Sequence, residues 1–416
     1  MKTVLGLFLS LIFVSTAWAA DLPRAAPEDV GLSSERLARL DAYMRRQVDD
    51  KHVAGIQILV ARHGKVAFFN NVGMADVEAS IPVSDKTIFG LNSMTKPITS
   101  VAVMMLYEQG HFLLTDPISK YLPELADMQV YVSGEGDDIV TRPASRKMTI
   151  QDLLRNTAGM TYDEIGHEQV GAIYDAKDVN WKAGSARQFK RNLAKNPLIE
   201  DPGARWEYSG ATNVLARLVE VISGQPLEVF FQEHIFDPLV MVDMAYFVGA
   251  DKFDRISDIY EKQKDGSLKQ HDQKFGRYGV EPKFKRGDAG LTSTSIDYMR
   301  FSQMLLNGGA LDGVRLLGPR TVAMMTRDQL TPETERHWVL QPGHGFGLGF
   351  DILTDRVPTG TLANPGTYFW MGGDGAVFWV DPTDDLIVVL MVQISPPLLP
   401  RMRAEVEALV YQAIID

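Results

Sequence analysis

The chain has 416 residues, 45% of them hydrophobic, so it is long enough to bury a large core and to divide into two lobes. Its formal net charge of −11 argues against nucleic acid and anionic membrane surfaces as partners. It contains no cysteine, which excludes disulfides, thiolate metal sites and a lipid anchor on an N-terminal cysteine.

Residues 1–19 have the composition of a secretory signal peptide. One lysine precedes an apolar run, and the segment ends in Ala17-Trp18-Ala19, which fits the small-x-small rule for signal peptidase. An uncut anchoring helix is the alternative, but the run is short for a span, which needs ~20 apolar residues. We expect cleavage after Ala19 and a periplasmic or secreted protein without a stable membrane anchor. Only Lys2 is lost among the charged residues, so −11 becomes −12.

The first part of the mature chain predicts a helix, a strand pair and a second helix. Apolar side chains over 34–49 are spaced as in an amphipathic helix. Residues 56–62 and 65–69 are typical of two strands joined by a tight turn. Residues 97–106 predict a mostly buried helix with Pro97 in its first turn, where a missing N–H does no harm.

The middle of the chain is predicted to be largely helical. Residues 149–152 are typical of a capping box that opens a short helix over 153–156, and residues 213–223 predict an amphipathic helix. Two polar segments, 133–147 and 251–274, are predicted to be surface loops of the length that often borders a site.

The C-terminal part predicts strands at 376–380 and 386–392, with a turn at 381–385, and a closing helix from about 401 to 415. Strands and helices at both termini indicate an α/β (α+β) fold. Its antiparallel sheet is flanked by helices and built from both chain ends, with an inserted, mainly helical lobe.

This architecture gives one domain over residues 20–416. We expect its α/β lobe to comprise about residues 30–105 and 285–416. The helical lobe is expected at about 106–284.

Ser93-Met94-Thr95-Lys96 is the most informative stretch of the chain. A serine and a lysine three residues apart on a helix share one face, so the amine can take the serine proton and leave an alkoxide to attack an acyl carbon. By composition, about one chance match to Ser-x-x-Lys is expected in a chain of this length. Two further elements strengthen the signal: Tyr208-Ser209-Gly210, before the helix predicted at 213–223, and Trp370-Met371-Gly372-Gly373, which opens the C-terminal strand pair.

With these motifs the chain resembles the serine β-lactamase and penicillin-binding-protein superfamily, most closely its class C-like branch, which includes the family VIII carboxylesterases. The resemblance covers nearly the whole mature chain, from about residue 30 to the end. Supporting stretches occur in the family's order at 60–65, 149–160, 290–294 and 378–382.

The resemblance implies catalytic roles for four residues. Ser93 would be the acylated nucleophile and Lys96 its proton acceptor. Tyr208 would share in proton transfer to the leaving group and activate the deacylating water. The backbone N–H groups of Ser93 and Gly373 would form the oxyanion hole. This chemistry needs no metal and no organic cofactor.

Substrate contacts are expected from Trp370, Met371 and Gly372, which take the place of the family's third motif. Tyr162 is a second tyrosine that the same loops could deliver to the cleft. Each assignment has a structural alternative. Ser93 could be a helix N-cap, Lys96 a solvated lysine, Tyr208 a core tyrosine and Trp370 a tryptophan packed on the sheet edge, and the glycines could form a turn.

Two departures from the family pattern bear on the substrate, a small-molecule ester or amide. Gly210 stands where class C β-lactamases have an asparagine that orients the acylamino group. Trp370 and Met371 stand where a cation and a hydroxyl would help hold the β-lactam carboxylate. Sites that lack hydrogen bonding discriminate weakly, so these losses favour a carboxylesterase on short acyl esters with weak β-lactam hydrolysis.

The alternatives within the enzyme class are a β-lactamase and a D-amino-acid peptidase or D,D-carboxypeptidase. From a different class, the chain could be an inactive, penicillin-binding-like binding protein on this fold. The intact Ser93, Lys96 and Tyr208 argue against that last interpretation.

Overall fold

The computed structural model describes residues 23–136, 138–162, 165–179, 184–272, 277–396 and 399–416. The expected signal peptide, residues 1–19, lies outside this range. Among the described helices, each is too short or too polar to span a lipid bilayer.

Helices occur along the whole described chain, and the longest are α1, α2, α6 and α10. The α-helices are α1 Ser34–Asp49, α2 Thr95–Glu108, α3 Ile150–Leu154, α4 Glu168–Ala176, α5 Ala186–Leu193, α6 Ala211–Ser223, α7 Leu227–Phe231, α8 Ser295–Leu306, α9 Pro319–Met325 and α10 Leu399–Tyr411. Short 3₁₀ turns lie at Pro27–Val30, Asn92–Met94, Ile118–Lys120, Pro123–Leu125 and Ala250–Arg255, and a π turn at Gln232–Phe236 extends α7.

The strands form one large sheet and several small ones. They are β1 Gly55–Arg62, β2 Lys65–Asp76, β3 Ile81–Pro82, β4 Phe89–Gly90, β5 Gln129–Ser133, β6 Val140–Pro143, β7 Arg205–Trp206, β8 Ile259–Lys262, β9 Leu268–Asp272, β10 Thr292–Ser293, β11 Ala310–Leu311, β12 Val314–Arg315, β13 Glu335–Arg336, β14 His344–Phe346, β15 Asp351–Leu353, β16 Tyr368–Met371, β17 Val377–Asp381, β18 Leu386–Met391 and β19 Ile394–Ser395.

The large sheet has eight strands in the order β14-β15-β16-β17-β18-β1-β2-β3, and every neighbouring pair is antiparallel. Its strands come from both parts of the chain that the sequence assigned to it, and the predicted fold class is confirmed. Both faces are covered, as the alternation along β1 shows. Ile58 and Val60 pack in a core with α1 and α10, whereas Leu59 and Ala61 pack in the larger core with α2 and α8.

The segment between the two halves of the sheet packs helix on helix. Helix α6 contacts α2, α3 and α7, and its apolar stripe is buried against them. This packing sets the N-terminal ends of α2 and α6 close together, which brings the residues before them into one place.

Most predicted helices occur near their expected positions. Helix α1 has the predicted bounds, with Ser33 as its N-cap. The capping box is present, with Thr149 and Asp152 each bonded to the other's backbone N–H, but α3 begins at Ile150 and not at residue 153. Helix α6 is capped at its C-terminal end by Gly224, which adopts a left-handed φ of 71°.

The prediction that 133–147 and 251–274 are loops without strands was wrong. The first segment holds most of the β5–β6 hairpin, and the second holds the β8–β9 hairpin, with residues 273–274 outside the described range. Strand β6 is exposed along its whole length, so its residues show no buried face from which a strand could be recognised.

One buried acid makes stability depend on pH. Asp297, in the first turn of α8, is 1% exposed and accepts a hydrogen bond from the Asp243 backbone N–H (2.6 Å). Burial raises the pKa of Asp297 to about 7, above its unfolded value of 3.8. The native state therefore binds more protons than the unfolded state between about pH 4 and about pH 7, and the free energy of unfolding falls as pH rises through that window.

We expect Asp297→Asn, which keeps an acceptor for the Asp243 N–H, to remove part of this pH dependence. Urea unfolding at about pH 5 and about pH 8 should show a smaller difference in the free energy of unfolding than in wild type. Asp254→Asn, at an exposed position, is the control. Equal pH dependence in wild type and Asp297→Asn would contradict the prediction.

Candidate active site

Ser93 and Lys96 lie at the start of α2, and both are buried. Ser93 is in the 3₁₀ turn Asn92–Met94 that leads into the helix, and Lys96 is in the first helical turn. Their side chains face each other, with Lys96 Nζ 3.1 Å from Ser93 Oγ. Ser93 forms no side-chain cap for α2, and Lys96 is only 2% exposed. The capping role for Ser93 and the solvated role for Lys96 are therefore wrong.

The Lys96 amine is surrounded by four oxygens. Besides Ser93 Oγ, Nζ contacts Tyr162 Oη (3.1 Å), Tyr208 Oη (3.0 Å) and the Asp288 carbonyl oxygen (3.0 Å). We call these five residues the amine cluster. An ammonium has three protons and no acceptor site, so it cannot fully satisfy four oxygens at once.

Two of the four oxygens have fixed acceptor roles. The Asp288 carbonyl can only accept, and Tyr162 donates its own proton to Asp288 Oδ2 (2.6 Å), so its oxygen accepts from Lys96. Burial, and next the charge of Asp288, raises the pKa of Tyr162 well above its usual value, so this hydroxyl stays protonated. The third position on the nitrogen faces Ser93 and Tyr208. It holds a proton in the ammonium and the lone pair in the neutral amine, so a proton can be taken up or returned there.

Asp288 is a buried carboxylate that the sequence analysis missed. It has no exposed surface, and Arg286 binds it through two hydrogen bonds of 2.8 and 2.7 Å. Burial by itself would raise the pKa of Asp288, but the charges of Arg286 and Lys96 lower it to about 2. The backbone N–H groups of residues 287 and 288 donate to Asn213 Oδ1 (2.9 and 3.3 Å), which fixes this segment against α6. An arginine two residues before an aspartate, just ahead of the stretch 290–294, was the available signal.

Tyr208 lies just before α6, and its hydroxyl donates to Ser93 Oγ (2.5 Å). Its ring makes an edge contact with Tyr162 (centroids 5.1 Å apart) and a tilted contact with Trp370 (5.5 Å). The half-buried ring and its hydrogen bond to Ser93 place Tyr208 at the centre of the site, so it is more than a core tyrosine.

The turn at 372–375, which we call the glycine turn, joins β16 to β17 beside Ser93. The Gly372 N–H donates to the Ala376 carbonyl (2.7 Å), and a Cβ at Gly372 would lie 2.4 Å from the Leu91 carbonyl oxygen. Only glycine allows the strand end to approach the 3₁₀ turn this closely. Gly373 is exposed, and its N–H has no acceptor among the described residues.

Trp370 and Met371 occupy opposite faces of the sheet. Trp370 is 4% exposed and packs between Tyr208 and Phe346 (centroids 5.5 and 5.4 Å away). Met371 packs in the core that contains α1 and α10, away from the amine cluster. The expected substrate contact is therefore wrong for Met371, because successive residues of a strand point to opposite faces. Gly372, with its N–H bonded to Ala376, contributes close packing to the site.

A separate group of acids could in principle hold a cation. Carboxylate oxygens of Asp76, Glu78 and Asp258 lie within 4.8 Å of one another, at the end of β2 and before β8. The Ala79 N–H donates to Asp76 and the Tyr260 hydroxyl to Glu78, so this group already serves as a set of hydrogen-bond acceptors.

A family model, curated relatives and solved structures all match this chain over most of its length. A family model described as Beta-lactamase matches residues 40–412. Esterase EstB of Burkholderia gladioli is 30% identical over 397 residues, which cover 89% of this chain and 95% of that protein. A D-alanyl-D-alanine carboxypeptidase-like protein of Escherichia coli K12 is 28% identical over 421 residues, covering 92% and 89%. The structure of EstCE1, described as a hydrolase with promiscuous acyltransferase activity, matches with a TM-score of 0.76 at 24% identity, covering 91% of this chain and 99% of that one.

We expect Lys96→Ala to abolish acylation and to leave the fold intact. The amine is the group placed to take the Ser93 proton, whereas Asp288 keeps its partners Arg286 and Tyr162. Labelling of Ser93 by a fluorophosphonate should slow by at least about 10²-fold, the usual size of a general-base contribution. Circular dichroism and thermal unfolding serve as the folding control. Labelling at the wild-type rate would contradict the role of Lys96.

The two tyrosines of the amine cluster should differ in effect. Tyr208→Phe removes a hydroxyl that contacts both Ser93 and Lys96, and we expect a loss in kcat of about 10²-fold or more. Tyr162→Phe removes the oxygen that orients Lys96 and the donor to Asp288, but no contact with Ser93, and we expect about a 10-fold loss. Steady-state kinetics of both variants on one ester provide the measurement. The reverse order would assign the proton-transfer role to Tyr162.

Proposed function

Since this chain belongs to the beta-lactamase family and is a serine hydrolase, we propose that it is a carboxylesterase that acts on short acyl esters through an acyl-enzyme on Ser93. The observation that carries this proposal is the amine cluster, in which Lys96 Nζ and Tyr208 Oη both contact Ser93 Oγ, at 3.1 and 2.5 Å. A serine hydroxyl needs a base of this kind to attack an ester at neutral pH.

Acylation follows from the positions of these protons. Lys96 takes the Ser93 proton, Oγ bonds to the ester carbonyl carbon, and the carbon–oxygen bond to the alcohol breaks. The alcohol leaves with a proton delivered through Tyr208, which contacts both Lys96 and Ser93. In deacylation a water gives one proton to the same pair and adds to the acyl carbon, and Ser93 recovers its proton as the acid departs.

The developing negative charge would be bound by the backbone N–H groups of Ser93 and Gly373. The free Gly373 N–H and the contact of the glycine turn with Leu91 support this assignment. Donors that are fixed before the reaction stabilise an oxyanion without reorganisation, and each contributes about 10²–10³-fold to kcat in other hydrolases.

Two observations support an ester over a β-lactam or a peptide. Gly210 offers no side chain where the family's asparagine would bind an acylamino group. Trp370 is buried against Tyr208 and Phe346, so its position supplies neither a cation nor a hydroxyl for a substrate carboxylate. Weak β-lactam hydrolysis accompanies the esterase activity in this proposal, because the acylation groups are shared.

A D-amino-acid peptidase is the second candidate, which the similarity to the Escherichia coli protein favours. The proposal also includes export to the periplasm or beyond, which rests on the signal-like residues 1–19. A peptidase of cell-wall peptides would need that location, whereas an esterase could work there or elsewhere. Location alone does not separate the two candidates, so the test uses their substrates.

We expect wild-type protein to hydrolyse p-nitrophenyl butyrate and Ser93→Ala to lose at least about 10³-fold in kcat/KM. Fluorescent penicillin should label Ser93 transiently, and D-alanyl-D-alanine peptides should release D-alanine slowly or not at all. Covalent penicillin labelling that lasts for hours without ester turnover would instead favour a penicillin-binding role. Faster release of D-alanine than of nitrophenol would favour the peptidase.

A further inference from the structure

Three polar side chains link the 3₁₀ turn that contains Ser93 to the glycine turn. The Asn92 amide donates to Asp374 Oδ2 (2.6 Å) and accepts from Arg277 Nη2 (2.8 Å). Arg277 also pairs with Asp374 (3.0 Å), which closes a triangle. Asn92 immediately precedes Ser93, and Asp374 immediately follows Gly373.

The triangle joins the 3₁₀ turn Asn92–Met94 to the glycine turn, and no strand pairing connects these two segments. The two expected oxyanion donors are the N–H groups of Ser93 and Gly373, which come from segments far apart in the chain. Their neighbours Asn92 and Asp374 are 282 residues apart. Residues 372–375 form a turn beyond the last paired residues of β16 and β17, Met371 and Val377. Their alignment with the 3₁₀ turn therefore depends on local contacts.

Asp374 can fix the glycine turn because both its backbone and its carboxylate are hydrogen-bonded. It is 7% exposed, and its carbonyl accepts from the Ile394 N–H (2.8 Å), which fixes the backbone of the glycine turn. Its carboxylate is bonded to Asn92, whose φ of 44° lies in the left-handed region that asparagine tolerates better than most residues. Asparagine at 92 thus serves both the turn's backbone and the link.

We propose that Asp374 is a positioning residue that, through Asn92 and Arg277, holds the Gly373 N–H in register with that of Ser93 in the oxyanion hole. This inference rests on the proposed function of Ser93. A displacement of about 1 Å in such a donor costs on the order of 10²-fold in rate, because its hydrogen bond to the oxyanion forms only in the transition state.

The test compares Asp374→Ala, Asp374→Asn and wild type on p-nitrophenyl butyrate. We expect kcat to fall about 10- to 100-fold in Asp374→Ala with KM little changed, since ground-state binding does not use the oxyanion hole. Asn92 and Arg277 both contact one oxygen, Asp374 Oδ2, so the amide oxygen of Asp374→Asn can accept from both without the charge, and this variant should lose less. The inhibition constant of phenylboronic acid, whose tetrahedral adduct needs the same donors, should rise by a similar factor to the fall in kcat.

Two further variants separate positioning from general destabilisation. Asn92→Gly removes the amide without straining a positive φ, and the double variant with Asp374→Ala should lose no more than the stronger single variant, because both act through one link. Asp201→Ala, which breaks the comparable surface pair with Arg142 (2.8 Å), should leave kcat unchanged.

Wild-type kcat and boronate affinity in Asp374→Ala would overturn the inference, as would a loss explained fully by fewer titratable active sites. Additive losses in the double variant would also overturn it. A wild-type protein that matches Ser93→Ala in ester turnover and boronate binding would overturn the proposed function, and this inference with it.

Discussion

The site depends on a buried lysine amine that has more oxygen partners than protons. Because the Asp288 carbonyl and Tyr162 can only accept from Lys96, they fix the amine's orientation. The third position must then serve Ser93 and Tyr208 together. The hydrogen bonds with fixed donors and acceptors hold Lys96 in place. Proton transfer is possible only at the third position, where donor and acceptor can exchange.

This arrangement imposes requirements on the rest of the fold. The five residues of the amine cluster come from the start of α2, the segment before α6, and two connecting segments, so α2 and α6 must pack closely. A carboxylate as buried as Asp288 would be costly without a partner, and Arg286 together with Asn213 supplies charge and hydrogen bonds to its segment. Asn213 of α6 thus helps to fix the segment that carries Asp288, which in turn contacts Lys96 at the start of α2.

The sequence predicts the local parts of the site better than the parts made by tertiary contact. Ser93 and Lys96 are one helical turn apart, so their contact follows from sequence spacing, and the antiparallel sheet follows from its hydrophobic runs. Asp288 was missed because a polar residue in a loop gives no sign of burial until its partners are known. Met371 was misplaced because alternation along a strand shows that two faces exist, but not which one faces the site.

Charge around the site is largely compensated. Arg286 is bound by Asp288, Arg277 by Asp374, and Arg205 by the buried Glu207 that precedes Tyr208. A substrate carboxylate that displaced one of these acids would leave a buried charge without its partner, at a cost of several kcal/mol. A neutral acyl group, as in the proposed ester substrate, avoids this cost. The negative charge on its carbonyl oxygen would then face the Gly373 N–H, which has no acceptor among the described residues. These arginines therefore stabilise the protein around Ser93, and recognition of the proposed ester substrate would rest on shape and on the transition state.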